Sequence, residues 1–271
     1  LHSAQLSFQT GQKEADVRNG KIDDFDQLNR EVVALGNDYA EGFFLPPHQH
    51  RRAQLLYGAT GLMHVSTRDG EWVVPPQHAV WIPAKTLHAV KFVGVTTRSL
   101  YIEPACADKL RNSSRCEVIS VSPLLRQLLL EAVDLPPYYD SVRDRALTDL
   151  MLLELTAMPV REFDIPLPQQ PGLLALCQAF LLAPAIHDPV ERWASALFMS
   201  ASTFRRCFRQ QTGMSFSAWR QRACVVSALA LLITGKPVNE VALSLGYESA
   251  SSFATMFRRV TGQPPSYYHP A

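Results

Sequence analysis

The sequence predicts an α+β chain of two domains, a β-rich N-terminal half followed by an all-α C-terminal half. Three observations predict it. Up to about Pro104, short runs of β-formers such as LMHVS (62–66) and EWVV (71–74) are separated by Gly, Pro and Asp turns. Between residues 123 and 158, Leu124, Leu125, Leu128 and Leu129, then Leu147, Leu150, Met151 and Leu155, recur at helical spacing. After Gly172 the pattern is helical with short interruptions, and 271 residues are enough for two separate cores.

Taken in order, residues 1–30 form a polar extension without the basic, apolar, small-residue pattern of a leader. Residues 31–120 form the β-rich domain, and 121–158 a helical segment. Its leucine stripes exceed the needs of one small β-domain and suggest a homodimer contact through Leu128 and Leu129. Residues 159–171 carry four prolines in 13 positions and read as an extended, semi-rigid linker. Residues 172–271 form the helical domain.

Composition bounds the function. The chain is 47% apolar and 19% charged, ordinary for a globular protein. The longest mostly apolar stretches, 173–186 and 223–234, fall short of the roughly 18 residues that span a bilayer, so no membrane partner is expected. Cys106, Cys116, Cys177, Cys207 and Cys224 are odd in number and lack CxxC spacing, which predicts reduced thiols and a cytoplasmic protein. The net charge of +1 hides an asymmetry: residues 170–271 hold nine Lys and Arg against four Asp and Glu. A basic C-terminal half suits a nucleic-acid partner for that half alone.

The helical half contains an internal repeat. STFRRCFRQQTG (202–213) aligns with SSFATMFRRVTG (251–262) at an offset of 49. Before each copy lies a short amphipathic helix, one carrying Val190, Trp193, Ala194 and Leu197, the other Val238, Val241, Ala242 and Leu245. A short helix, a tight turn and a second helix pinned by Phe204 and Phe208, or Phe253 and Phe257, is a helix-turn-helix unit. A solenoid needs at least three such repeats, and this chain has two. A joining helix over about 217–234 would span roughly 27 Å at ~1.5 Å per residue, compatible with successive major-groove faces ~34–36 Å apart.

The candidate DNA-contacting residues follow from the faces left open: Ser200, Ser202, Thr203, Arg205, Arg206 and Arg209 in the first unit, and Ser249, Ser251, Ser252, Thr255, Arg258 and Arg259 in the second. Ser200 and Ser249 sit at helix starts, where a hydroxyl caps N–H groups or meets a phosphate. Arg205 and Arg206 are long enough to reach guanine O6 and N7, whereas Ala250, Ser251, Ser252 and Thr255 are short. The first unit is therefore expected to discriminate sequence and the second to hold the backbone through Arg258 and Arg259.

The run ALSLGYESASSFATMFRRVTGQPPSY (242–267) resembles the signature of the arabinose-regulator (AraC) family, and the resemblance covers about 172–268. It implies a bacterial transcription regulator with two helix-turn-helix units on one face of double-stranded promoter DNA, and RNA polymerase as a further partner. Thr255 departs from the arginine common at that place, which Arg206 keeps in the first unit.

In the N-terminal half, GFFLPPHQHRRAQ (42–54), followed by Gly61, resembles the first motif of a cupin barrel, and PAKTLH (83–88) a looser second one. This implies a cupin-like β-barrel with His48, His50 and His88 as ligands of a divalent metal. On a strand His48 and His50 would face one side, and three imidazoles suit Zn, Ni, Cu or Fe. Gln54 stands where the family's glutamate would be and is a possible fourth ligand, but a neutral amide cannot act as a general base. The same histidines serve equally well as hydrogen-bonding residues of a pocket for a small organic effector. His64 and His78 lie outside both motifs and read as surface or structural, and Trp72, Trp81, Tyr57 and Tyr101 as core. The expected function is an effector- or metal-controlled, sequence-specific DNA-binding regulator and not an enzyme. The alternative is a metal-dependent cupin enzyme with an appended helical module, which Gln54 and the doubled helix-turn-helix disfavour.

Overall fold

In the computed structural model, which describes residues 22–111, 114–136 and 140–269, the β-rich half folds as two antiparallel sheets. The first runs in the order β1 (Val32–Tyr39), β8 (Val95–Ile102), β3 (Ala53–Gly58), β6 (His78–Ile82), β9 (Glu117–Ser120) and β10 (Val160–Arg161). The second runs β11 (Asp164–Pro166), β5 (Gly70–Val74), β4 (Leu62–Thr67), β7 (His88–Val93) and β2 (Phe44–His48).

Successive strand residues point to opposite faces. Leu56, Val80, Ile82 and Val118 of the first sheet share one apolar cluster with Val65, Trp72, Val74, Val90 and Phe92 of the second. The alternate residues Leu55, Tyr57, Ala79 and Trp81 face the other way, into a cluster with Leu125 and Leu129 of α2 (Pro123–Ala132) and Met151 and Leu155 of α3 (Val142–Ala157). The first sheet is thus covered on both sides, which is why β3 and β6 are apolar almost without a break. The turn into β4 needs Gly61: its φ is 65°, and a Cβ there would lie 2.3 Å from the carbonyl oxygens of Val93 and Gly94.

The N-terminal extension is partly built into this domain; residues 1–21 of it lie outside the described residues. Phe25 and Leu28 pack on Val33, Leu35 and Tyr101. The fully buried Arg52 donates to the carbonyls of Leu28 and Arg30, at 2.7 and 2.8 Å, and pairs with Glu103 at 2.7 Å.

The proline-rich run is not a free linker. Val160 and Arg161 pair with Ile119 and Val118 of β9, and Asp164, Ile165 and Pro166 pair with Trp72, Glu71 and Gly70 of β5. Phe163, Ile165 and Leu167 alternate and are buried, a period-two pattern masked by the prolines. Those prolines are tolerated because β11 is an edge strand, where a missing N–H need not break the ladder.

Beyond it follow α4 (Pro171–Leu182), α5 (Val190–Ala196), α6 (Ala201–Thr212), α7 (Phe216–Ile233), α8 (Val238–Ser244) and α9 (Ala250–Thr261). Helix α7 runs to 18 residues, long and apolar enough to cross a membrane by composition, although its apolar stretch 223–234 by itself is shorter. Its Phe216, Trp219, Val225, Leu229 and Leu232 are buried in the protein core instead. The helical half is bolted to β11: the Trp219 indole donates to the Pro166 carbonyl at 2.9 Å, and Arg222 pairs with Glu162 at 2.6 Å and Asp164 at 2.7 Å. Tyr267 adds a bond from its hydroxyl to Gln77 Oε1 at 2.8 Å.

The leucine stripes divide. Leu125 and Leu129 are fully buried, so Leu129 is core and unsuited to the dimer contact expected of it. Leu124, Leu150 and Leu153 face solvent, Leu153 at 67% exposure. Leu129→Ala should therefore cost about 2–5 kcal/mol in urea denaturation, whereas Leu153→Ala should stay within about 0.5 kcal/mol of the parent.

Candidate DNA interface and histidine cluster

The two helix-turn-helix units are built on one plan. Phe204 and Phe208 of α6 are fully buried with their ring centroids 5.6 Å apart, and Phe253 and Phe257 of α9 repeat this at 5.5 Å. Each helix starts on a serine cap: Ser200 accepts from the Thr203 N–H, and Ser249 from the Ser252 N–H. Each stops on a glycine in the left-handed region, Gly213 at φ 74° and Gly262 at φ 81°. With one face pinned and both ends closed, the opposite face is left open. Ser200, Ser202, Thr203, Arg205, Arg206 and Arg209 are all exposed, as are Ser249, Ser251, Ser252, Thr255, Arg258 and Arg259.

Their chemistry differs between the units. Arg205 lies 3.8 Å from Glu191, both well exposed, while Arg206 makes no hydrogen bond or ion pair among the described residues. In α9 the Thr255 hydroxyl donates to the Ser251 carbonyl at 3.0 Å, and Ser252 Oγ to the Ser249 carbonyl at 2.9 Å. Arg259 is held by Gln221 at 2.9 Å. Arg258 has no such partner among the described residues and remains open at the C-terminal end of α9.

In the β-rich half, His48 closes β2, and His88 opens β7 directly opposite it in the register. Strand β2 ends at His48, so His50 joins from the following loop and not by strand alternation. One ring nitrogen from each of His48, His50 and His88 lies within 4.8 Å of the others. Every Nδ1 faces a backbone carbonyl: His48 to Pro46 at 2.8 Å, His50 to Arg52 at 2.7 Å, His88 to Thr86 at 2.8 Å. A carbonyl only accepts, so each Nδ1 carries the proton and a neutral ring keeps its lone pair on Nε2. His88 Nε2 is buried with no partner. His50 Nε2 is 3.0 Å from Gln54 Oε1, and the Gln54 amide NH2 donates to Ser99 Oγ at 3.2 Å and to the Tyr101 hydroxyl at 3.1 Å. With Nδ1 protonated, Nε2 and Oε1 are both acceptors, an arrangement satisfied by a cation between them or by turning the amide over so that its NH2 donates to Nε2. Burial holds the His50 pKa below its ordinary value and drives that of His88 down to about 4, so both rings are neutral near pH 7.

The two ends of this chain match two family models, the "AraC-like ligand binding domain" over residues 31–155 and the "Helix-turn-helix domain" over 193–270. The transcriptional regulator NimR of Escherichia coli K12 is 31% identical over 228 residues, which cover 82% of this chain and 81% of NimR. The chain belongs to the AraC family. It is a DNA-binding transcription regulator with an N-terminal ligand-binding domain.

The regulator RipA of Corynebacterium glutamicum is 38% identical over 105 residues, 38% of this chain and 31% of RipA. Among solved structures, an apo ToxT variant from Vibrio cholerae covers 89% of this chain and 97% of its own, at 10% identity and a TM-score of 0.37. The DNA-binding domain of AdpA, solved with a target DNA, covers 36% of this chain and 88% of its own, at 33% identity and a TM-score of 0.34.

Two differences between the turns were not read from the sequence. The turn between α8 and α9 is one residue longer than that between α5 and α6, which places Glu248 just before the second recognition helix. Where the second turn has Gly246 at φ 81°, the first has Phe198 at φ 56° and 99% exposed. A bulky residue there carries strain of about 1–2 kcal/mol. Comparing the turns, and not only the helices, would have found both. Of the remaining histidines, His78 is buried with its ring edge-on to Phe163 at 5.1 Å, while His64 is only partly exposed.

His78 is one of three rings, with His64 and His88, whose pKa burial depresses to about 4. Burial pushes its pKa down to about 4; the hydrogen bond to the Pro76 carbonyl opposes this and the nearby Arg161 adds to it. The unfolded ring titrates near ~6.5. The stability held by the neutral ring is therefore complete above that value and lost as pH falls towards about 4. Urea midpoints should drop between pH 7 and pH ~4.5, and His78→Gln should make that drop shallower; an unchanged slope would contradict the assignment.

Proposed function

We propose that this regulator binds double-stranded promoter DNA sequence-specifically as a homodimer, in the cytoplasm, under the control of a metal or small-molecule effector in its N-terminal domain. What carries the reading is the pair of capped recognition helices, α6 and α9, presented on either side of the rigid, buried helix α7. The first unit supplies most base discrimination through Arg206, since Arg205 is shared with Glu191. The second mainly grips phosphate through Arg258, because its Ser252 and Thr255 hydroxyls are turned back onto their own helix. The exposed Leu124, Leu150 and Leu153 of α2 and α3 supply the self-complementary dimer patch. Contact with RNA polymerase belongs to this reading as the means of acting on transcription.

His48, His50 and His88 would hold a divalent transition metal, with Gln54 Oε1 as fourth ligand. The support is the carbonyl held at each Nδ1, which fixes the tautomer that leaves Nε2 for a metal, and the partnerless buried Nε2 of His88. Neutral nitrogen donors suit Zn, Ni, Cu or Fe. Gln54 cannot serve as a general base, so catalysis forms no part of the proposal. Contacts that support such control join the domain to α6: the Leu167 N–H donates to the Asp69 carbonyl at 3.4 Å, and the Gln169 N–H to Gln211 Oε1 at 3.0 Å.

Three measurements test the reading. In a binding-site selection, Arg206→Ala should cost about 1–3 kcal/mol and relax preference at one base position, whereas Arg258→Ala should weaken all sequences alike and lower the salt slope by about one. A more stringent half-site under α9 would reverse the assignment. Leu150→Glu with Leu153→Glu should sediment as a folded monomer; an unaffected dimer would exclude this patch. Chelator-treated protein should take up one transition metal per chain, and at a free metal concentration ~100-fold above Kd gain about 2.7 kcal/mol of stability. His88→Ala should lose most of that uptake without losing DNA binding. If the parent protein takes up no metal, the histidines pass to an organic effector pocket.

A further inference from the structure

Beside the first recognition helix lies a cleft of about 520 Å³, framed by the start of α5, one face of α6 and the first turns of α7. We infer that it seats a backbone phosphate of bound duplex DNA between Arg209 and Arg220, so that the unit carrying Arg206 also grips the sugar-phosphate chain. The inference rests on the reading of this chain as a DNA-binding regulator, and adds Arg220 and the cleft to its contacts.

The cleft is cationic. Arg205, Arg209 and Arg220 line it against the single carboxylate of Glu191. Arg205 and Arg209 are four residues apart on α6, so they share one face of the helix. Arg205 lies 3.8 Å from Glu191 with both side chains well exposed, a pair too weak to withhold the arginine from a phosphate. The Arg209 side chain is exposed and makes no hydrogen bond or ion pair among the described residues.

Arg220 is held in place without being neutralised. Its Nη1 donates to the Asp188 carbonyl, and its guanidinium lies over the Phe216 ring, 5.4 Å from the centroid. The Asp188 carboxylate is taken up elsewhere, by Arg192 at 3.0 Å and the Trp193 indole at 2.6 Å. A guanidinium has five N–H donors, of which the carbonyl uses one and brings no full charge. One oriented arginine and one free arginine beside it suit a phosphodiester, whose oxygens accept several charge-assisted bonds at once.

The position of the cleft makes DNA the source of that anion. A recognition helix in the major groove has a phosphate chain on either side, and the first helix of the unit crosses the backbone. Arg206 is turned roughly 100° about the α6 axis from Arg205. When Arg206 faces base edges, the face of Arg205 and Arg209 therefore borders the groove wall, where the phosphates run.

The test uses the full chain and two duplexes of equal length, one carrying the selected site and one of random sequence, with fluorescence anisotropy over a range of salt. Arg209→Gln should weaken both alike, about three- to tenfold, and lower the salt slope by about one. Glu191→Gln removes the opposing carboxylate and should tighten both about twofold, whereas Ser217→Asp, in the first turn of α7 on the cleft wall, should weaken both. Thermal melts report that each variant is folded. A scan of the selected site with single uncharged methylphosphonates then locates the phosphate. At one position the substitution should weaken the parent and leave Arg209→Gln unchanged, which a merely structural arginine would not produce. Folded Arg209→Gln and Ser217→Asp chains that bind both duplexes like the parent would overturn the seat. So would a loss confined to the selected site, which makes Arg209 a base reader, or a scan in which the two changes add at every position. A parent chain that binds neither duplex would overturn the regulator reading itself, and the seat with it.

Discussion

Three residues at the edge of a sheet, Asp164, Ile165 and Pro166, are what the two halves of the molecule have in common. As β11 they extend the second sheet beside β5, with Ile165 buried in the interior of the sandwich. On their other side they receive the Trp219 indole at 2.9 Å and Arg222 at 2.7 Å. Trp219 is fully buried, so its N–H must find an acceptor or cost the fold the desolvation of a polar group. The Pro166 carbonyl satisfies it. One short strand therefore completes the sensor sheet and anchors α7, from which both recognition units are hung, so the orientation of the DNA-binding half is tied to the sheet.

That sheet also carries the histidines. In its order β11-β5-β4-β7-β2, the docking strand is at one edge and the facing His48 and His88 are at the other. The histidine cluster near one edge and DNA-domain docking at the other are thus joined by a continuous hydrogen-bonded ladder. The histidines themselves are set by backbone: carbonyls of Pro46, Arg52 and Thr86 fix three tautomers at once. Burial keeps His50 and His88 uncharged, which is the state a metal or a hydrogen-bonding effector requires.

The two recognition units share one scaffold but present different open faces. Paired phenylalanines, a serine cap and a terminal glycine recur in both, because each solves a local problem of burial or of unsatisfied backbone groups. The differences fall on the open face and in the turns, where packing places no demand. Arg206 against Thr255, and Phe198 against Gly246 with the added Glu248, change the chemistry of the exposed surface without changing how the helices are held.

The two-domain architecture, the doubled helix-turn-helix and the exposed arginines were legible in the sequence because they rest on short-range signals: period, caps and an exact offset between repeats. The three histidines were legible too, through the spacing of a motif and its likeness to a known barrel. What the chain could not show by itself depends on partners distant in sequence. The run 159–171 carries its own alternation at Phe163, Ile165 and Leu167, yet only pairing with β5 and β9 makes it sheet and not linker. Leu129 and Leu153 both sit on apolar helical stripes, and only the position of Leu55, Tyr57 and Trp81 on the sheet buries the first and leaves the second in solvent. Local pattern sets which face of an element is apolar; which other element covers it, or fails to, is decided by the packing of the whole chain.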